Sequence, residues 1–381
     1  MTIPFHRPWY DAADEQALRD ALRGGVLVGD GPFTARACAA LAALLDAPHV
    51  LLTTSCSHAL ELAMMVLRLG PGDEVIVPSF TFVSTTNCVL RQGARVVFAD
   101  ILPDTLTIDP EDVRRKMGPA TKAMMPIVYA GVSPDLDSLS DLCHGRGIAL
   151  VEDAAQGLGA TYRGKAAGTI GDIGCLSFHE TKNLSTGEGG AFLTRDPELW
   201  HRAEIVREKG TNRREFLQGL VDKYSWVDIG SSFLPPDSTG ALLLSQLAKR
   251  ERVQERRREI FGRYQEAFAP LEQRGVLRRP VIPDAVVSNH HIYFVLLSDE
   301  QTRNAAIDFF RARGIGVAFH YLPLHLSPVG RRLGFGPGDC PVTESISGRL
   351  LRLPIYPSLT TEEQQQVIDT MEEFLAGQTG G

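Results

Sequence analysis

From about residue 49 to residue 194 the chain alternates short apolar runs with stretches of helical spacing, and this alternation narrows its fold more than any other feature. His49-Val-Leu-Leu-Thr-Thr reads as a strand, and residues 57–69 as a helix with Leu60, Ala63, Met64 and Leu67 on one side. Pro71-Gly72-Asp73 breaks that helix. Glu74–Pro78 is the next expected strand, followed by a helix over 81–92. Further strands are expected at 94–99, 123–129, 148–151 and 175–178, with a helix over 135–144. The strands are continuous apolar runs, so both of their faces should be covered. That pattern predicts a mainly parallel sheet sandwiched by helices. In such a sheet a ligand sits outside the carboxyl ends of the strands.

Past Gly240 the pattern changes. Residues 241–269 read as one long helix rich in Arg and Glu, 289–297 as a strand, 303–313 as a helix and 316–321 as strand-like. Leu359-Thr-Thr-Glu-Glu363 offers a capping box for a last helix over 362–375. A chain of 381 residues exceeds what one core usually fills. The expected organisation is α/β, with a large unit over 1–245 and a smaller C-terminal α/β unit over 246–381.

Charge and cysteine usage exclude several functions. There are 39 Lys and Arg against 46 Asp and Glu, a formal net charge of −7. Basic runs such as Lys249-Arg250-Glu251-Arg252 are interrupted by acids, so no nucleic-acid footprint is present. The six cysteines are scattered without a C-x-x-C pair, which argues against a disulfide framework and against a zinc site. His290 and His291 would point to opposite faces of a strand, so a shared metal is not expected. The first residues carry no apolar signal core, and no apolar run is long enough to span a membrane. A reducing cytoplasm is the expected location. Walker-type and H-E-x-x-H motifs are absent, and Gly157-Leu-Gly159 lacks the third glycine of a dinucleotide fingerprint.

Four features fall at expected strand ends. Cys56-Ser57-His58 opens a helix, whose free N–H groups and hydroxyl suit a phosphate; a plain N-cap is the alternative. Glu152-Asp153-Ala-Ala-Gln156 follows the strand at 148–151, where an Asp could keep a heterocyclic nitrogen protonated or merely cap a turn. Lys182 lies in Ser177-Phe-His-Glu-Thr-Lys-Asn183, between a buried strand and the cluster Gly187-Glu-Gly-Gly190, whose glycines let backbone approach a ligand. Phe82 ends Pro78-Ser-Phe-Thr-Phe82 and could stack on a flat ligand or be ordinary core. Together they make a phosphate cup, an acid, an aromatic platform and a lysine. Pyridoxal phosphate requires that set, with the lysine as Schiff-base partner and proton shuttle.

At these residues the chain resembles the DegT-type sugar aminotransferases of the fold-type-I pyridoxal-phosphate superfamily. The resemblance also covers Gly29-Asp-Gly31, Pro78–Ser84, Tyr129-Ala-Gly131, Val151–Gly157, Arg207–Arg213, Asp222-Lys-Tyr224, Asp228–Ser232 and His320–His325. It implies that Lys182 carries the cofactor, Asp153 pairs with its pyridine nitrogen, Gln156 contacts the ring hydroxyl and Phe82 stacks on the ring. Cys56 (through its backbone), Ser57 and Ser177 would hold the phosphate, and His58 is a further expected cofactor contact. Family members add an Asn from a partner subunit; Ser232 stands at that position here, so a homodimer with shared sites is implied. Tyr129, His320, Tyr321 and His325 match segments that approach the sugar. Pro235-Pro-Asp-Ser-Thr-Gly240 replaces a more helical stretch of the relatives, which bears on where the next helix starts.

The segments around 207–213 and 222–232 are similar to the subgroup that aminates C4 of dTDP-4-keto-6-deoxy-D-glucose. The implied reaction takes the amino group from L-glutamate, passes through the pyridoxamine phosphate form and releases 2-oxoglutarate. Relatives that dehydrate C3 have His in place of the lysine. Amination at C3, or a non-catalytic sensor that binds cofactor and sugar nucleotide, are the competing readings.

Overall fold

The computed structural model describes residues 2–378. Seven strands form the central sheet: β1 (His49–Thr53), β2 (Glu74–Pro78), β3 (Arg95–Ala99), β4 (Thr121–Met124), β5 (Ala149–Ala154), β6 (Ile173–Ser177) and β7 (Gly190–Thr194). Their spatial order is β1-β7-β6-β5-β4-β2-β3. Only β7 breaks the parallel arrangement, running antiparallel to both β1 and β6. Alternate residues feed cores on opposite faces, as strand geometry requires. Leu51 and Cys175 pack with Leu60 and Ala63 of the helix Cys56–Val66. Leu52 and Leu176 pack with Leu41 of the helix Pro32–Leu45. The sheet is therefore covered on both sides, and its strands needed no polar face.

Several boundaries differ from those expected. β4 stops at Met124, leaving Ile127 and Tyr129 in isolated bridges. β5 runs on to Ala154, because Val151–Ala154 pair with Ile173–Leu176 of β6. The acids at 152 and 153 are thus inside a strand rather than after it. The strand β7 was not expected at all; it is short, and its partners lie far away in sequence. The long helix expected over 241–269 is two helices, Asp237–Ala248 and Arg250–Gln273. Lys249 leaves helical geometry between them (φ −107°, ψ 10°). Its ammonium pairs with Asp14, and with Asp11 at 3.2 Å.

The helix Asp237–Ala248 packs on the N-terminal helices Ala12–Gly24 and Pro32–Leu45. Asp237 is fully buried and accepts the N–H groups of Phe33 (3.2 Å) and Thr34 (2.7 Å). It thereby caps a helix whose own N-cap, Gly31, has no side chain. A Cβ at Gly31 would lie 2.5 Å from Asp237 Cγ, so the glycine in Gly29-Asp-Gly31 is needed for this approach.

A smaller unit follows. Strands β8 (Tyr293–Leu296) and β9 (Leu350–Leu353) pair antiparallel, against the helices Arg250–Gln273, Glu300–Ala312 and Thr361–Gln378. Tyr264, Phe268, Tyr293, Phe310 and Met371 fill its core. Ile3 joins that core, and its backbone bonds to Gly314 (2.9 Å) and Gly316 (2.8 Å). The first residues thus pack with the C-terminal unit, and the expected boundary at 245/246 falls inside a helix. The strand-like run at 316–321 contributes a single bridge, Ala318 to Arg352. Among the described residues no helix is long and apolar enough to cross a membrane, and no cluster of His, Cys, Asp and Glu could hold a metal ion.

Candidate active site

A cavity of about 370 Å³ opens at the carboxyl ends of β5 and β6, where the parallel-sheet rule places a ligand. Its floor comes from the large unit and its far wall from the small one. Asp153, Gln156, Ser177 and Lys182 face it from the strand ends, and Cys56, Ser57 and Phe82 from the neighbouring helix starts. His320, Tyr321 and Arg352 close it.

Glu152 and Asp153 are adjacent in β5 and so point to opposite faces. Glu152 is 1% exposed and accepts the N–H groups of Gly168 (2.8 Å), Ile170 (2.7 Å) and Gly171 (2.8 Å). It organises the loop behind the sheet. Asp153 turns to the cavity. Its Oδ2 accepts from the Thr85 hydroxyl (2.8 Å) and its Oδ1 from the Ala155 N–H (3.2 Å). An ionised carboxylate only accepts, so Thr85 donates to it and in turn accepts from Thr81 Oγ1 at 2.8 Å. Burial pushes the Asp153 carboxyl above its usual range, while Thr85, Ala155 and the Lys182 charge pull the other way.

Lys182 lies in the connection between β6 and β7. That loop is closed by backbone bonds from Phe178 N to Gly189 O, Glu180 N to Gly187 O (both 2.8 Å) and Lys182 N to His179 O (2.9 Å). Gly187 takes a left-handed φ of 80°. Gly190 lets β7 approach the start of the helix Cys56–Val66, since a Cβ there would lie 2.4 Å from the Ser55 carbonyl carbon. Burial lowers the Lys182 pKa, opposed by Cys56 and Asp153. Its amine has no hydrogen bond or ion pair among the described residues.

The helix Cys56–Val66 presents its N-terminus to the cavity. Its cap is Ser55, which accepts the His58 N–H (3.1 Å), rather than a residue of the expected Cys56-Ser57-His58 run. Ser57 Oγ lies 2.6 Å from Ser84 Oγ, and Ser177 Oγ accepts the His179 N–H at 3.3 Å. A helix N-terminus ringed by hydroxyls is an anion cup. Phe82 precedes the helix Val83–Leu90 and is 58% exposed, a ring with an open face.

Gln156 is held by its carbonyl, which accepts the Ala130 N–H (2.7 Å), so its amide nitrogen donates to Tyr321 Oη at 2.9 Å. The Tyr321 proton is then free to point into the cavity. His320 stacks on Tyr321 with centroids 3.7 Å apart. Its Nε2 lies 2.9 Å from Arg352 Nη1 and its Nδ1 3.3 Å from Tyr129 Oη. The guanidinium can only donate, so His320 carries its proton on Nδ1, and burial keeps the ring from charging.

Three residues expected at the site, His58, Tyr129 and His325, do not line the cavity, and Ser232, expected to act in a second subunit's site, does not line its own chain's cavity. His58 bonds through Nδ1 to the Thr54 hydroxyl and packs on Phe233. Tyr129 is fully buried behind His320. His325 is fully buried with both ring nitrogens engaged, by Ser79 Oγ (2.6 Å) and Glu344 (3.1 Å). Ser232 is exposed and bridges to Glu208.

Other cavity residues were not anticipated: Thr85, His291, Arg257, Arg352 and His6. His291 precedes β8 instead of lying in a strand, and His290 before it takes φ 50°. The two therefore do not alternate across a sheet. Asn183 Nδ2 donates to the Asn289 carbonyl (2.9 Å), so its Oδ1 faces His291 Nδ1 at 2.8 Å. His291 thus keeps an uncharged ring whose Nε2 is a bare acceptor. Asn183, next to Lys182, was a readable signal; Arg352 and His6 had none, being brought in from the two ends of the chain.

An acid for a ring nitrogen, an unpartnered amine, an anion cup and an open aromatic face converge on one cavity, and these residues fit pyridoxal phosphate. Comparison with known proteins agrees. The model of the DegT/DnrJ/EryC1/StrS aminotransferase family matches residues 8–372. The chain is 35% identical to a dTDP-4-dehydro-2,3,6-trideoxy-D-glucose 4-aminotransferase of Saccharopolyspora spinosa, over 97% of this chain and 96% of that one. The aminotransferase TlmJ of Streptoalloteichus hindustanus superposes with a TM-score of 0.91 at 33% identity, covering 99% of this chain and 100% of that one. The pyridoxal-phosphate form of the sugar aminotransferase Spr1654 of Streptococcus pneumoniae gives 0.91 at 28% identity, with 99% of both chains covered. With a site of this chemistry on this fold, the chain belongs to the DegT/DnrJ/EryC1/StrS family and is a pyridoxal-phosphate-dependent aminotransferase of fold type I.

Proposed function

We propose that the enzyme moves an amino group from L-glutamate to the C4 ketone of dTDP-4-keto-6-deoxy-D-glucose. The products are 2-oxoglutarate and a dTDP-4-amino-4,6-dideoxyhexose of galacto or gluco configuration. The observation that carries this reading is the pairing of Lys182 with Asp153 in one cavity, the amine unpartnered and the carboxylate anchored by Thr85. When bound, pyridoxal phosphate supplies the electron sink for amino transfer. Lys182 is the proton carrier, an unpartnered amine whose pKa burial lowers. Asp153 would hold the ring nitrogen charged, Phe82 would offer its open face to the ring and Gln156 would meet the ring hydroxyl. The Cys56 N–H, Ser57 and Ser177 would hold the phosphate.

Tyr321 and His320 are the side chains we assign to the sugar, with the Tyr321 proton directed at the acceptor. The name of the S. spinosa relative, a 4-aminotransferase of a dTDP-linked 4-dehydro sugar, supports C4 over C3. Two guanidiniums of the cavity lining, Arg257 and Arg352, make no salt bridge to a carboxylate among the described residues, which suits a dicarboxylic donor. We place the enzyme in the cytoplasm, which suits six unpaired cysteines.

A homodimer completes this reading. Leu217, Leu220, Trp226 and Ile229 are exposed by 65–77% on the segment leading to Ser232, an apolar face that a second copy would cover. Ser232 would then reach the partner's phosphate cup.

Incubation with glutamate and dTDP-4-keto-6-deoxy-D-glucose tests the reaction. Release of 2-oxoglutarate in step with an amine at C4, read from proton couplings, is the expected result. An amine at C3, or no turnover of this sugar, refutes it. Light scattering tests assembly, and a fully active monomer would remove Ser232 from the site.

A further inference from the structure

The segment over residues 3–10 joins the two units along the edge of the cavity. Ile3 is anchored in the core of the small unit. Gly316 leaves room for the chain that follows, since a Cβ there would lie 2.5 Å from Phe5 N. Phe5 and His6 then line the cavity. Trp9 is fixed on the large unit, with Lys249 Nζ 5.1 Å and Arg252 Cζ 4.6 Å from its ring centroid. Its carbonyl accepts from Gln246 Nε2 at 3.3 Å. Between these anchors the segment meets the loop that carries Lys182 at two points. His6 Nε2 lies 2.8 Å from the Glu180 carbonyl, which can only accept, so that nitrogen carries a proton. Tyr10 Oη lies 3.0 Å from Ser185 Oγ. The single Ser185 hydroxyl proton goes to the Phe178 carbonyl (3.4 Å) while its oxygen accepts the Gly187 N–H (3.0 Å), so Tyr10 donates.

The two contacts straddle Lys182. The other hydrogen bonds of residues 179–182 close within the loop: Glu180 N to Gly187 O, Lys182 N to His179 O, and Thr181 N to His179 Nδ1 at 3.3 Å. Among the described residues, no hydrogen bond but that of His6 reaches this stretch from outside the loop. The Lys182 amine has no partner of its own, so its place is set by the backbone that carries it. We propose that His6 and Tyr10 are positioning residues for Lys182. They act through the Glu180 carbonyl and the Ser185 hydroxyl to hold the amine where the cofactor's aldehyde arrives. Linkage is a condensation in which the amine nitrogen bonds to the aldehyde carbon and water leaves. It depends on the approach of two atoms, so a loop displaced by about 1 Å slows it. Cys56, Ser57 and Phe82 sit on other elements, and their hold on the cofactor does not depend on this loop. The inference rests on Lys182 as the lysine that links the cofactor.

The test mixes the full-length, cofactor-free enzyme with saturating pyridoxal phosphate and times the growth of the lysine-linked absorbance. His6→Phe keeps a ring but removes the donor, and should slow linkage about 3–10-fold, the scale of one neutral hydrogen bond. Affinity for pyridoxamine phosphate, which has no aldehyde and cannot link, should stay within about twofold. Hydrogen exchange at the amides of Glu180 and Lys182 should quicken by a factor similar to that for linkage. His6→Gln places an N–H near the position of Nε2 and should restore all three readouts. Tyr10→Phe, at the second contact, should slow linkage by itself and more in combination with His6→Phe. It also serves if the His6 variant fails to fold. Unchanged linkage in both single variants overturns the inference and leaves the Lys182 reading intact. A fall in pyridoxamine phosphate affinity equal to the fall in linkage rate also overturns it, since the segment would then shape the whole cavity. So does a glutamine variant as slow as the phenylalanine one, which would assign the effect to the imidazole ring rather than to the donated bond. A wild-type enzyme that never develops the lysine-linked absorbance refutes the reading of Lys182, and this inference with it.

Discussion

Thr85→Val removes one hydroxyl beneath the cofactor and little else. Thr85 is fully buried, and a methyl takes the place of the oxygen. The lost bond is the 2.8 Å donation to Asp153 Oδ2, and Thr81 loses its acceptor with it. A hydrogen bond to a charged group is worth about 1.5–3 kcal/mol. Asp153 would retain only the Ala155 N–H, at 3.2 Å, against a burial that already pushes its carboxyl up. The ionised form is the one that can hold a protonated ring nitrogen, so its loss appears as cofactor affinity. At about 1.4 kcal/mol per tenfold, affinity should fall about 10–100-fold at neutral pH. The pH dependence has a definite sign. Asp153 is needed ionised, so affinity is lost as pH falls through its pKa, and in the variant that loss begins at higher pH. The assay is absorbance titration of cofactor-free enzyme with pyridoxal phosphate from about pH 5 to about pH 9. Thr85→Ser, which keeps the hydroxyl, should behave as wild type. A valine variant whose affinity and pH profile overlay the wild type would refute the reasoning.

Lys182→Ala should fold and still bind cofactor in the anion cup, but lose the visible absorbance of the lysine-linked form and at least about 100-fold in the glutamate half-reaction; wild-type turnover would sink the assignment. Asp153→Asn should lose most activity yet stabilise the cofactor-free chain. The folded pKa of Asp153 lies above its unfolded value of 3.8, so its ionised form costs stability at neutral pH, and that cost disappears as pH falls through the raised pKa. Urea midpoints should therefore show a gain at pH 7 that shrinks on acidification, and a gain that grows instead would contradict it. Glu152→Gln leaves an amide NH₂ against the Gly168 N–H and weakens two charged bonds. It should cost about 3 kcal/mol in a urea melt, and a loss under about 1 kcal/mol would mean that the loop is held by something else.

The sheet, and the acid and lysine that meet in the cavity, were legible in the chain because their signals are local. A strand buried on both faces needs a continuous apolar run, so β1, β2 and β6 stand out in the text. The acid follows the apolar run at 148–151, and the aromatic and the lysine lie a few residues beyond the runs of β2 and β6. The parallel-sheet rule then brings Asp153, Phe82 and Lys182 to one edge without knowledge of strand order. Residue-level family resemblance gave roles to Gln156 and Ser177, which line the same cavity.

What the chain could not disclose depends on pairing between distant segments. β5 extends through Glu152 and Asp153 only because β6 continues beside it, and that pairing sends the two acids to opposite faces and different tasks. Arg207 lies in a motif that marked the subgroup, yet its guanidinium is buried against Asp30 and the Leu52 carbonyl, a structural role. His325 matched a sugar-facing segment and became a buried link between Ser79 and Glu344. Arg352 and His6 carried no local mark, since the chain's two ends meet at the cavity only after the small unit has packed. Periodicity and motif thus determine the layers and bring Asp153 and Lys182 to one cavity. Which polar side chains face the ligand is decided by tertiary packing, because a side chain's direction follows from the strand or loop that its neighbours impose on it.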